Sequence, residues 1–180
     1  MKTVEEFIND VIATEGGYCN DPQDKGGETN FGITKSVAVA FGFTGVMIDM
    51  QKEQAYQIYL QRYWIQPKLD QVFIINGPIA QFLLDTGVNM GPGTSIKLLQ
   101  RCLNVLNGNT TLYPDMTVDG VLGAISLSYL GIFLKSRKTD GEEVLLKMLN
   151  GLRVTRYIEI AEGNKDQEKF IFGWIKNRIA

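Results

Sequence analysis

Residues 15–34 read EGGYCNDPQDKGGETNFGIT, a glycine-rich segment that directly follows a helical pattern. Five of its residues are glycine and one is proline, which is typical of a loop or a small irregular hairpin. It ends in NFGIT at residues 30–34, which is strand-like. Glu15 is out of place at a helix end, because the negative end of the helix dipole disfavours a carboxylate there. Its position suggests a role other than helix formation.

Helical patterns flank this segment on both sides. Apolar residues at i, i+3, i+4, i+7 and i+8 predict a helix over residues 3–14, and residues 50–64 return to helical composition before Pro67. A further apolar stripe predicts a helix over residues 79–86. The first part of the chain is therefore predicted to be helical around one glycine-rich loop.

The second half of the chain reads as helices throughout. Apolar patterns over residues 94–106, 141–161 and 165–179 predict helices, with a turn at Asp119-Gly120 before another apolar stretch. The glycine-rich segment GVNMGPG at 87–93 is the best boundary candidate. We predict a mainly α protein with two domains, residues 1–90 and 91–180.

The overall composition is that of a globular protein without a charged field. Hydrophobic residues make up 44% of the 180 residues, and the net charge is −2, so we expect no nucleic-acid partner. No apolar run reaches the ~18 residues of a membrane span, so we expect no membrane insertion. The N-terminal sequence MKTVEEFINDVIATE lacks an apolar signal region, which predicts synthesis in the cytoplasm without a signal peptide.

The chain contains no histidine, which narrows the possible chemistry. Ser-His-Asp and Cys-His nucleophilic sites and the usual ligands of catalytic zinc are excluded. Two cysteines do not make a disulfide framework, and no metal or organic cofactor is implied. If the protein is an enzyme, its proton transfers are expected to depend on carboxylates.

Glu15, Asp24 and Thr29 all lie in or beside the glycine-rich segment. Cleavage of a glycosidic bond needs one carboxylic acid to protonate the leaving oxygen and a second group to stabilise the sugar cation or position a water. Glu15 fits the first role, and Asp24 with the Thr29 hydroxyl fits the second. The spacing alone also fits a solvated helix end, a loop acid and a strand threonine.

The longer motif resembles a known family. EGGY followed by NDPQDKGGETNFGIT is similar to the signature of the glycoside hydrolase family 108 muramidases, and the resemblance continues through AYQIYLQRYW and DTGVNMGPG. The second half, with LLQRCLNVLNG, VDGVLG and RYIEIAEGNKDQEKFIFGW, resembles the peptidoglycan-binding domain that follows the catalytic domain in that family. The resemblance covers nearly the whole chain.

The resemblance implies a lysozyme-like α+β catalytic domain with a small irregular β hairpin, followed by a helical peptidoglycan-binding domain. It assigns the catalytic acid to Glu15. The Glu-x8-Asp-x4-Thr spacing also resembles that of phage-type lysozymes, but is one residue shorter before Thr29. Asp24 is the expected second carboxylate, and Glu28 is its competitor.

Three further residues are candidates for substrate binding. Tyr18 follows the acid and is expected to stack or hydrogen-bond near it. Asp85 and Asn89 are four residues apart, so they share a helix face and could meet sugar groups, although capping of the helix end is an equal alternative. No metal-binding residue is predicted.

The resemblance also implies a function. It predicts an N-acetylmuramidase that cleaves the β-1,4 bond between N-acetylmuramic acid and N-acetylglucosamine, for host lysis as an endolysin or for wall opening during protein export and secretion. Peptidoglycan is the expected partner, and the protein is expected to act on it in the periplasm as a monomer. A holin or an export machinery is expected to give it access to the wall. The alternatives are a non-catalytic peptidoglycan-binding module and a chitinase-like hydrolase.

Overall fold

A computed structural model describes residues 2–20 and 27–179 of the chain. The chain forms two compact units, Met1–Asp70 and Gln71–Ala180. The sequence predicted a division near residue 90 instead. Compactness alone does not set the limits of a domain. The domain limits 1–90 and 91–180 therefore stay a prediction.

The first unit begins with helix α1, Val4–Glu15. Thr3 and Glu6 form a capping box at its start, in which the Glu6 amide donates to Thr3 Oγ1 and the Thr3 amide to Glu6 Oε2. One face of the helix is buried, as the apolar spacing predicted. The helix ends where Gly16 takes a positive φ of 87°. Glu15 is therefore the last helical residue.

A two-stranded antiparallel sheet follows, with β1 at Thr29–Asn30 and β2 at Ile33–Thr34. Phe31 and Gly32 form the turn, both with positive φ (51° and 71°), which is the type I′ turn favoured in tight hairpins. The stretch NFGIT is therefore not one continuous strand, because two left-handed residues reverse the chain within it. The small hairpin expected from the glycine-rich composition is confirmed.

The remainder of the first unit is helical. It comprises α2 (Lys35–Ala40), a 3₁₀ helix (Met47–Asp49), α3 (Lys52–Tyr59) and a π-helix (Leu60–Ile65). Helix α3 packs against α1, and the rings of Phe7 and Trp64 lie 6.4 Å apart between their centroids. The helix predicted over residues 50–64 thus exists, but its last turns are wound as a π-helix.

The second unit contains the longer helices. After α4 (Leu69–Ile75), which crosses the boundary at Asp70, come α5 (Gly77–Met90), α6 (Pro92–Leu106), α7 (Ala124–Gly163) and α8 (Glu168–Arg178), with a 3₁₀ turn at Lys165–Gln167 before α8. Helix α5 packs against α6 and α7, and α8 packs against α7. The segment at 87–93 is therefore mostly helix, with Gly91 joining α5 to α6.

Helix α7 is interrupted at Lys138, whose φ of 53° and ψ of −136° are not helical. The interruption separates the two helical patterns seen in the sequence on either side of it. Both parts bury large side chains, among them Phe133, Leu145 and Tyr157. Across residues 2–20 and 27–179, none of the helices has the length and apolarity needed to cross a membrane. The mainly helical fold with one small hairpin is confirmed.

Candidate active site

Glu15 lies half-buried at the end of α1, directly against the hairpin turn. A methyl group placed on Gly32 would lie 2.8 Å from Glu15 Cβ and 3.0 Å from Glu15 Oε2. Real side chains do not approach so closely, and φ at Gly32 is +71°. Only glycine therefore fits at position 32 while the carboxylate of Glu15 keeps its place.

Two side chains hold this turn in position. Tyr59, which is buried in α3, donates its hydroxyl proton to the Phe31 carbonyl at 2.9 Å. The buried amide of Asn30 donates to the Met47 carbonyl at 2.7 Å. These hydrogen bonds fix the hairpin to α3 and to the 3₁₀ helix, and they hold its turn against Glu15.

The sequence did not single out these positioning residues. The signal that could have located the turn was Gly32 within the strand-like segment NFGIT, since an isolated glycine in a strand pattern indicates a bulge or a close approach of the backbone. Nothing in the sequence indicated that the turn would pack on Glu15.

A backbone bridge places Thr29 on the same hairpin. The Cys19 amide donates to the Thr29 carbonyl at 2.9 Å, and the Thr29 amide donates to the Cys19 carbonyl at 2.8 Å. These two bonds join the ends of segment 20–28. Asp24 belongs to that segment and lies outside the described residues. The structure therefore describes Thr29 but not Asp24.

Glu28 lies beside the bridge and is held by two partners. Lys35 Nζ forms an ion pair with Glu28 Oε2 at 3.0 Å, and the Tyr18 hydroxyl donates to Glu28 Oε1 at 3.1 Å. The hydrogen bond from the Lys35 ammonium is the main reason that the pKa of Glu28 lies below its usual value. Glu28 is therefore a carboxylate that is ionised at neutral pH.

Tyr18 was expected near the catalytic acid, and the structure places its hydroxyl on Glu28. Loss of water around the phenol is the main cause that raises the pKa of Tyr18, and the hydrogen bond to the Glu28 carboxylate raises it further. The phenol thus remains protonated at neutral pH and can donate a hydrogen bond. Tyr18 as a whole is 40% exposed.

Asp85 and Asn89 lie on α5 in the second unit. Each carboxylate oxygen of Asp85 accepts from one arginine: Oδ2 from Arg153 Nη1 at 2.6 Å and Oδ1 from Arg178 Nη1 at 2.8 Å. The buried Arg153 also donates to Asn150 and to the Arg178 carbonyl. Asp85 therefore joins α5 to α7 and α8. Asn89, one turn further along, is half-buried.

Comparisons with known proteins agree with this architecture. Residues 8–91 match the family described as glycosyl hydrolase 108, and residues 94–179 match the family described as a predicted peptidoglycan domain. No curated protein matches the sequence at a significant level.

Among solved structures, the chain is similar to one described as the structure of Brucella abortus SagA. The TM-score is 0.69 at 24% identity, and the match covers 96% of this chain and 87% of that chain. At this identity the likeness shows a shared fold. The two family matches, which follow one another along the chain, confirm the resemblance drawn from EGGY and the later motifs. Residues 8–91 therefore carry a glycosyl hydrolase 108 segment, which indicates a glycoside hydrolase, and a predicted peptidoglycan domain follows that segment.

Proposed function

We propose that this protein is an N-acetylmuramidase, which hydrolyses the β-1,4 bond between N-acetylmuramic acid and N-acetylglucosamine in peptidoglycan. The observation that carries the proposal is Glu15, held at the end of α1 under the hairpin turn within the segment that matches the hydrolase family. A carboxylic acid fixed in this way can protonate the leaving oxygen as the glycosidic bond breaks.

The second catalytic group is proposed to be Asp24, which would orient the attacking water with help from the Thr29 hydroxyl. Glu28 is the alternative, and its ion pair with Lys35 supports a role as a permanently charged group rather than as a proton carrier. Tyr18, Asp85 and Asn89 are proposed to contact sugar groups, as the sequence suggested.

The test is digestion of purified sacculi followed by mass spectrometry of the released muropeptides. A muramidase releases fragments whose reducing end is N-acetylmuramic acid. Reducing-end N-acetylglucosamine would contradict the proposed bond specificity. Parallel assays on chitin oligomers identify a chitinase-like hydrolase if those oligomers are cleaved in preference. Binding to sacculi without release of any fragment would indicate a non-catalytic module.

The stereochemical course is a second prediction. We expect inversion, because the sequence puts Glu15 at a helix end and Asp24 in a polar glycine-rich segment, and we propose that a water fits between the two carboxylates, as in inverting enzymes with separations of about 6.5–9.5 Å. Proton NMR of the newly released reducing end should then show the α-anomer first. In that case Asp24→Asn should lower activity far more than Glu28→Gln. First appearance of the β-anomer would contradict the mechanism and leave the acid role of Glu15 intact.

The helical second half is proposed to hold the protein on the wall. We expect the inactive Glu15→Gln protein to sediment with purified sacculi, because the predicted peptidoglycan domain over residues 94–179 is intact in it. With a net charge of −2 the protein has little general attraction to charged surfaces, so sedimentation should persist in added salt. Recovery of the protein in the supernatant would contradict the assignment.

The proposed setting is host lysis by an endolysin or wall opening during protein export. In either case the protein would act on the periplasmic wall as a monomer and would depend on a holin or an export machinery for access. This proposal rests on the family resemblance and on the peptidoglycan-binding match.

A further inference from the structure

A cleft of about 270 Å³ opens in the first unit between the turn that follows α2 and one face of α3. Phe41 and Phe43 form one wall, and Gln54, Gln57 and Gln61 form the other. The three glutamines are spaced so that they share a helix face, because residues three and four apart are neighbours there. Ile58 lies between them and is almost completely buried.

The chemistry of this cleft is neutral and amphipathic. Among the described residues, no charged side chain lines it. Gln57 and Gln61 each offer amide donors and an acceptor, whereas Gln54 Oε1 already accepts from the Gln51 amide at 2.9 Å, and the phenylalanine rings offer apolar surface. A charged ligand would lose water here without gaining a countercharge, which is costly. The cleft therefore suits an uncharged ligand that carries hydroxyl and amide groups beside an apolar face.

The backbone at one end of the cleft is wound in a rare form. Gln61 belongs to the π-helix Leu60–Ile65, in which the Gln66 amide donates to the Gln61 carbonyl at 2.9 Å. Single π-helical turns are uncommon and occur frequently at functional sites. The adjoining helix α3 also carries Tyr59, whose hydroxyl holds the turn that covers Glu15. The glutamines and Tyr59 lie on opposite faces of this helix, so the cleft is a site apart from the turn that covers Glu15.

We propose that this cleft binds one N-acetylglucosamine unit of the glycan strand and holds the polymer while Glu15 acts on it. The proposal rests on the proposed function. The sugar is uncharged, and its hydroxyl and acetamido groups match the donors and acceptors of Gln57 and Gln61. N-acetylmuramic acid fits less well, because its lactyl group adds bulk and, without a stem peptide, a charge. The volume lies just below the ~300–1,000 Å³ of ordinary ligand pockets, which suits one sugar ring.

Binding is tested by NMR titration of N-acetylglucosamine oligomers into the inactive Glu15→Gln protein, with the ring protons of Phe41 and Phe43 as the readout. The double change Gln57→Ala with Gln61→Ala should weaken binding at these rings by about tenfold, as expected for loss of one net hydrogen bond or more. Gln71→Ala on α4, which is also an exposed glutamine, is the matched control and should change nothing. Unchanged affinity in the double variant would overturn the proposal.

Kinetics on soluble glycan strands give a second readout in the otherwise wild-type protein. The double variant should raise KM by about tenfold and leave kcat unchanged, because the cleft binds a sugar remote from the reacting bond. A loss of kcat with unchanged KM would overturn the proposal. If the protein proves to be no muramidase, the NMR titration still decides whether the cleft binds the sugar, so the two failures are distinguishable.

Discussion

Replacing Glu15 by glutamine is expected to abolish hydrolysis of peptidoglycan while the protein stays folded. The amide keeps the shape of the side chain at the end of α1, but it cannot supply the acidic proton that the leaving oxygen needs. A positioned general acid contributes roughly 10²–10⁴-fold to the rate, so kcat should fall by about that factor. The decrease in turbidity of a sacculus suspension measures the rate, and thermal unfolding checks the fold.

Glu5→Gln is the matched control for this change. Glu5 lies on the same helix and is exposed, so the same loss of charge there should leave activity intact. A folded Glu15→Gln protein with wild-type activity would rule out Glu15 as the acid. Equal losses in both variants would mean that charge on α1, rather than a proton at position 15, is responsible.

A methyl group at Gly32 should have the second large effect. Gly32→Ala places a side chain at φ +71° and brings its Cβ within 2.8 Å of Glu15 Cβ and 3.0 Å of the Tyr59 hydroxyl. The left-handed backbone alone costs about 1–2 kcal/mol. Relief of the contact must also move Glu15 or the turn, and a shift of about 1 Å at a catalytic group can cost about 10²-fold in rate. Both kcat and the melting temperature should therefore fall.

Gly108→Ala separates the effect of the left-handed backbone from the effect of the close contact with Glu15. Gly108 has a similar φ of +67°, but its added Cβ would make only an ordinary contact, 3.8 Å from Thr111 Cβ. This variant should lose stability and keep its activity. If Gly32→Ala behaves in the same way, the turn does not position Glu15, and the proposed arrangement of the site is wrong.

The sequence predicted the helices well because their signal is local. The spacing of Phe7, Ile8, Val11 and Ile12 is enough to define α1 and its buried face, and the structure confirms both. The same holds for the break between the two parts of α7, since the sequence showed two separate apolar patterns. A helix with one buried face can be predicted from a single sequence, because the apolar spacing that defines it is local.

The features that shape the site depend on contacts between distant residues. The packing of Gly32 on Glu15 and the bond from Tyr59 to Phe31 join residues 17 and 28 positions apart in the sequence. Periodicity does not report such contacts. The π-helix was also missed, because LQRYWI has an ordinary helical composition and the altered hydrogen bonding depends on tertiary packing.

The ion pairs of Asp85 are expected to form late in the folding of the second unit. Its two partners lie 68 and 93 residues further along the chain, so these bonds close very long loops. The entropy of loop closure must be overcome before such contacts contribute, whereas the neighbouring helices α5 and α6 can pair early. Interactions that form after the folding transition state act mainly on the unfolding rate. We therefore expect the ion pairs of Asp85 with Arg153 and Arg178 to slow the unfolding of this unit and to have little effect on its folding rate.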